Sequence, residues 1–266
     1  MKRSGWSLFL LLGLLWSTSC SSSIDLTDGE WIDLTHELSP QSVFWPTAEE
    51  FRLEPVYEGM TEKGYYYSAY HFSADEHGGT HIDAPVHFAK GGKTIDQIPI
   101  EELIAPAVRI DVSQKALADP EYRVAIEDFK TFEKNHGQIP KDGIVLLYTG
   151  YGRFYPDRSA YMGTDLRGEQ AVAELHFPGL HAEAARWLAE EREIEAIGID
   201  TPSIDYGQST HFESHRILFE NEILAIENVA NLDRVPATGA TVLALPMKIK
   251  GGSGAPIRMV AFVPYR

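Results

Sequence analysis

Gly78, Gly79 and Pro85 forbid a continuous helix across "EHGGTHIDAPVHF", residues 76–88. Yet His77, His81, Asp83 and His87 fall within eleven consecutive positions of that stretch. Whatever these side chains do, an extended or turning backbone must hold them. In an extended chain side chains alternate between faces, so the four odd-numbered residues point one way. Ile82 and Val86 then point into the packed side. A bend at Ala84–Pro85 breaks strict alternation, so His87 is the residue least bound by this rule.

Two imidazoles and a carboxylate form a facial ligand set for Mn²⁺, Fe²⁺ or Zn²⁺ that leaves positions open for water and substrate. A cation held this way acidifies its water towards neutral pH. An imidazole just outside the ligand set moves protons. The plainer alternatives are a hydrogen-bonded core network of histidines, or surface histidines with no role. Further along, "DTPSIDYGQSTHFESHR" gathers Asp200, Asp205, Gln208, His211, Glu213 and His215 beside the end of an apolar run. Glu227 lies inside the apolar "ILAIENV" and needs either a metal or a salt-bridge partner there. His136, His176 and His181 fall in helical or loop segments and read as bystanders. The aromatics of "YYYSAY" and "VFWP" either wall a pocket for an aromatic substrate or belong to the core.

The rest of the chain alternates strands with helices. "WIDLTHELS", "APAVRIDVS", "GIVLLYTGY", "IEAIGID", "ILAIENV", "TVLALPMKI" and "IRMVAFVPY" predict strands, with further strands either side of Gly78–Gly79. "VFWPTAEEFRLEPVYEG" predicts loop and edge, and "AIEDFKTFEKNH" has helical period. "PGLHAEAARWLAEERE" predicts a helix starting at Pro178, with Ala182, Ala185, Leu188 and Ala189 as its apolar stripe. No internal repeat is visible, and no linker divides the region from Ile24 onward. These elements predict an α/β fold, a single domain with a mixed β-sheet over 31–266.

At the N-terminus, Lys2 and Arg3 precede a nine-residue apolar run, Leu8 to Trp16, which suits a signal peptide and is too short to span a bilayer. Cys20, the only cysteine, follows small residues as in a bacterial lipoprotein signal, although Ser17 stands where an aliphatic residue is usual. The expected organisation is a signal over 1–19, a polar tether over 20–30 and an exported protein in the cell envelope. Its membrane contact would come from lipid on Cys20; an ordinary cleaved signal is the alternative. Net charge is −16, from 23 basic and 39 acidic residues, which disfavours nucleic acid or a basic membrane patch as partner. An apolar content of 44% supports a core without disulfides.

"HGGTHIDAPVHF" closely resembles the H-x-G-T-H-x-D-x-P-x-H signature of the cyclase-like metal-dependent hydrolases, which include bacterial kynurenine formamidase and isatin hydrolase. The resemblance extends from about Ile32 to the C-terminus, through "FWP", "IGIDTPSID" and "ALPMKIKGGSGAPIRMVAF". It implies a swivelling β/β/α fold, His77, His81 and Asp83 as ligands of a divalent metal (Mn²⁺ or Zn²⁺), and His87 as catalytic acid/base. It also implies that His215 and Glu227, twelve residues apart, complete a second metal site or contact substrate. Gln208 would supply an amide near the metal. "YGQS" and "GGSGAP" look more like isatin hydrolase than formamidase. Family members form homodimers or homotetramers in which one subunit's aromatic residues help close a neighbour's site. The expected activity is hydrolysis of a small amide, cyclic amide or lactone, isatin-like or N-formyl arylamine. Two rivals are a non-haem iron oxygenase using His81, Asp83 and His215, and a binding lipoprotein without turnover.

Overall fold

The apolar runs find one another as a closed sheet in the computed structural model, which describes residues 25–265. Its strands are β1 (Gly29–Asp33), β2 (Arg52–Met60), β3 (Tyr66–Ser73), β4 (His81–Asp83), β5 (Ile104–Asp111) and β6 (Arg123–Val124). They continue as β7 (Ile144–Tyr148), β8 (Gly179–Leu180), β9 (Ala196–Ile199), β10 (Leu224–Glu227), β11 (Ala240–Pro246) and β12 (Gly254–Pro264). The helices are α1 (Ser113–Ala118), α2 (Ile126–His136), α3 (Arg158–Met162), α4 (Glu169–Val172), α5 (Ala182–Glu191) and α6 (Glu213–Glu220). Eight strands order as β1-β12-β11-β5-β7-β9-β10-β4, and a further β12–β4 pairing closes the sheet into a barrel. β5, β7, β9 and β10 run parallel, while β4, β11 and β12 join antiparallel. This is the mixed α/β sheet expected from the sequence.

Period-2 alternation sorts each strand's side chains. Ile82, Ala105, Ala107, Ile144, Leu146, Ile226, Val242 and Met259 fill the barrel. Val108, Ile110, Val145, Leu147, Ile197 and Ile199 face outward, where α2 and α5 cover them with Phe129, Ala184 and Leu188. β4 is the consequential case. Its centre, Ile82, is fully buried in the barrel, so His81 and Asp83 must face outward, towards α6. Register then places Glu227 opposite His81, and Ala225 opposite Asp83.

Two boundaries differ from expectation. The helix after Pro178 begins at Ala182, capped by the His181 side chain, because Gly179–Leu180 pairs with Arg123–Val124 instead. Its buried stripe is Ala184, Ala185, Leu188 and Ala189; Ala182 is half-buried. Gly29 and Glu30, assigned to the tether, already belong to β1 and pair with β12. The signal and Cys20 lie outside the described residues.

Candidate metal centre

The approach to β4 is fixed by two glycines. A Cβ on Gly78 would fall 2.0 Å from the Phe44 ring, and Gly79 sits at φ +59°, which favours glycine. The turn they make delivers His77 from the loop, while β4 carries His81 and Asp83. Pro85–His87 is one turn of 3-10 helix, so the bend at Ala84–Pro85 occurs. It brings His87 back onto the cluster, its ring stacked on His77 with centroids 3.8 Å apart. His215 arrives from α6 and Glu227 from the end of β10. His77, His81, Asp83, His87, His215 and Glu227 thus line one cavity of about 450 Å³.

The hydrogen bonds around this cluster point outward. His81 Nδ1 lies 2.9 Å from the Gly79 carbonyl, which can only accept, so that nitrogen carries the proton. His215 Nδ1 is 2.7 Å from Asp205 Oδ2, a carboxylate also held by the backbone N–H of Ser214 and of His215. His77 Nε2 is 2.8 Å from Ser253 Oγ, whose hydroxyl donates to Glu76 at 2.7 Å; His77 Nε2 is therefore the donor of that pair. His77, His81 and His215 thus each commit the outer nitrogen and turn the other inward. The inward nitrogens meet only carboxylates. His77 Nδ1 is 2.6 Å from Asp83 Oδ1, and His81 Nε2 is 3.2 Å from Asp83 Oδ1 and 3.4 Å from Glu227 Oε2. His215 Nε2 lies 3.0 Å from Glu227 Oε1 and 3.4 Å from Asp83 Oδ2.

A buried centre in which lone pairs face carboxylates is satisfied only by positive charge, either protons or a cation. Burial disfavours a charged His81, but the Asp83 and Glu227 carboxylates outweigh it and raise the ring to about 10. The same contest, won by Asp205, Asp83 and Glu227, raises His215 well above its usual value. Burial would raise Asp83, but His77 and His81 hold it well below the usual carboxylate range. A divalent cation fits this donor set. Imidazoles oriented by outer carboxylates or carbonyls are the arrangement that metal ligands require.

Asp83 is the hinge of the set. One group, His77, Asp83 and His87, and another, His81, Asp83 and Glu227, each bring ligand atoms within 4.8 Å of one another. His87 therefore stands beside the ligands rather than well behind them. Burial pushes its ring down to about 4, with Asp83 opposing and His77 and His215 reinforcing the shift. Gln208 does not reach the cavity. Its amide nitrogen donates to the carbonyls of Leu175 at 2.6 Å and Ala173 at 3.2 Å, which turns the side chain away from the cluster. His136 stacks on Phe132, His176 meets Glu121 and His181 caps α5, all outside the cavity. "VFWP" does wall the cavity, through Val43, Phe44 and Trp45, joined by Phe88 and Phe212; the tyrosines of "YYYSAY" do not line it. Sequence reasoning missed Glu76 and Ser253 as the partners of His77, and did not give Asp205 its part in orienting His215.

Fold and centre together define a metal-dependent enzyme built on an α/β barrel. The chain belongs to the Cyclase family, whose model matches residues 32–206. It is similar to an isatin hydrolase of Roseibium aggregatum, 33% identical over 198 residues, or 71% of this chain and 72% of that protein. A kynurenine formamidase of Bacillus cereus is 29% identical over 234 residues, covering 87% of this chain and 96% of the other. Among solved structures, an isatin hydrolase bound to the product analogue thioisatinate superposes with a TM-score of 0.81 at 28% identity, covering 90% of this chain and 94% of that one. His81, Asp83 and His215 do come together as an oxygenase triad requires. The barrel and the family, however, set that alternative aside.

Proposed function

We propose that this protein is a metal-dependent hydrolase of small amide C–N bonds, acting on an isatin-like cyclic amide or an N-formyl arylamine, with a lactone as a related substrate. The observation that carries the reading is the cation-demanding centre opening into an aromatic-walled cavity. A divalent cation there, Mn²⁺ or Zn²⁺, supplies Lewis-acid polarisation of the scissile carbonyl and a water acidic enough to ionise near neutral pH. His77, His81 and Asp83 would hold it. His215 and Glu227, across Asp83, would hold either a second cation or the polar edge of the substrate. His87, neutral at pH 7, accepts a proton and delivers it to the departing nitrogen. Phe44, Trp45, Phe88 and Phe212 present flat apolar surface to an aromatic ring and exclude water from its faces.

The decisive experiment is a hydrolysis screen of isatin and N-formyl arylamines with chelated and Mn²⁺- or Zn²⁺-reconstituted protein. Turnover only in the reconstituted protein supports the reading; no turnover of either class by metal-loaded protein rejects it.

Two features bear on context. The signal-like N-terminus supports export to the cell envelope with a lipid on Cys20, tested by whether Cys20→Ser releases the protein from membranes. The β2–β3 hairpin supports a homodimer or homotetramer. Among the described residues it pairs only with itself, and it exposes Val56, Met60, Tyr66, Tyr67 and Phe72, a large apolar surface for one chain to leave bare.

A further inference from the structure

The walls of the cavity are apolar and aromatic, and once a cation has displaced the protons of His81 and His215 its side-chain charges all have one sign. Asp75, Glu76, Asp83 and Glu227 line it, and no lysine or arginine does among the described residues. A divalent cation would balance two of these four carboxylates and leave the other two. Those two stand together on the approach to His77. Asp75 is exposed and accepts from the Glu49 N–H at 2.9 Å, and Glu76 accepts from the backbone N–H of Ser253 at 2.9 Å and from its hydroxyl.

The arginines that approach this wall serve its back. Arg158 donates to the Phe44 carbonyl and pairs with Glu50 at 3.0 Å. Arg167 donates to the carbonyls of Trp45 and Ala48 and pairs with Glu50 at 3.2 Å. Their guanidinium groups fix the loop that carries Trp45 and are not offered to a ligand. With one cation at the centre and the polar edge of the substrate at His215 and Glu227, no side chain lining the cavity would, among the described residues, offer a remote carboxylate a second positive charge.

We infer that the cavity selects neutral or cationic aromatic amides and rejects those carrying a carboxylate remote from the scissile bond, with Asp75 and Glu76 as the specificity-determining residues. This rests on the hydrolase reading above. A remote carboxylate enters a partly dehydrated cavity beside two like charges and finds no partner. Like charges a few ångströms apart near a protein surface are worth on the order of a 10- to 100-fold penalty. The same field favours departure of the product, whose new carboxylate is an anion once it leaves the metal.

The test compares isatin-5-carboxamide with isatin-5-carboxylate, which are nearly isosteric and differ in charge, on metal-loaded full-length protein. The expected kcat/KM for the carboxylate is about 10- to 100-fold below that for the carboxamide. The gap should narrow at high salt and in Asp75→Lys. Equal kcat/KM for the pair, or a gap that Asp75→Lys leaves untouched, overturns the inference. Binding of the same pair is read in parallel by thermal stabilisation. If neither compound is hydrolysed but the carboxamide alone stabilises the protein, the hydrolytic reading fails and the charge selectivity stands. Equal stabilisation by both, or by neither, overturns the selectivity itself.

Discussion

Strand β3 of the β2–β3 hairpin and the β4 segment come from one stretch rich in β-formers, yet the hairpin and β4 end in opposite environments. On the hairpin Tyr66 is 60% exposed and Val56 69%, whereas every residue of β4 is buried. β4 is only three residues long, but it is paired on both edges, by β10 and by β12. The hairpin strands have nine and eight residues and, among the described residues, pair only with each other. The difference is one of cover rather than composition. A short strand inserted between two others can hold a reactive cluster in fixed register, whereas a long hairpin with bare faces has surface left for another molecule.

The largest expected effect lies at Asp83, which belongs to both ligand groups. Asp83→Ala should abolish stoichiometric metal and cost at least about 10³-fold in turnover, checked by elemental analysis and steady-state kinetics. Tyr66→Ser combined with Phe72→Ser should leave the metal content intact and alter the solution mass measured by light scattering. If the hairpin pair empties the centre, the two regions are coupled and the contrast fails.

His87 comes next. Fully metallated His87→Ala should lose about 10²- to 10⁴-fold in kcat while keeping its metal, whereas His81→Ala loses both. Metal lost as readily from His87→Ala as from His81→Ala would make His87 a ligand alongside His77 and Asp83, whose ligand atoms lie within 4.8 Å of its own.

A smaller effect belongs to Ser253. Removing its hydroxyl leaves the outer nitrogen of His77 without its acceptor, so Ser253→Ala should weaken metal affinity about 10- to 100-fold with little change in thermal unfolding of the apo protein. Ser253→Thr, which keeps the hydroxyl, should recover most of that loss. An unchanged dissociation constant in Ser253→Ala would show that the Glu76–Ser253–His77 chain does not orient the ligand.

The smallest effect concerns His36, stacked on Tyr155 at 3.7 Å with Nε2 buried and unpartnered. Burial lowers its ring from 6.5 to about 4. Between those values the unfolded chain binds the proton and the folded one does not, so stability rises with pH across the window. Full stability is present above about 6.5 and is lost as pH falls towards about 4, by no more than roughly 3 kcal/mol. Urea melts of wild type and His36→Phe across this range should diverge in slope; parallel curves would remove His36 from the account.

The local part of the centre was legible because it is short-range. Parity across His81–Asp83 and the glycine turn follow from backbone rules, and a carboxylate inside "ILAIENV" demands a partner. What was not legible depends on closure of the barrel. Ser253 meets His77 across 176 positions, and no spacing rule connects them. Helix α6 escaped prediction because it is eight residues long and follows Phe212, a left-handed N-cap residue that makes no side-chain cap. That helix decides which way His215 points. Gln208 misled because an amide between polar residues looks available, while two backbone carbonyls already hold its nitrogen.

The central claim is that the inward-facing nitrogens and carboxylates require a cation. It is tested most directly by calorimetric titration of the chelated protein with Mn²⁺ or Zn²⁺ at pH 7, in buffers of different ionisation enthalpy. Carboxylates hold His81 protonated to about 10, and His215 well above its usual value, so a cation must displace protons from them. The account predicts saturable binding with release of at least about one proton per cation, and recovery of hydrolysis over the same titration. Absence of binding, binding without proton release, or full hydrolysis by exhaustively chelated protein would contradict it.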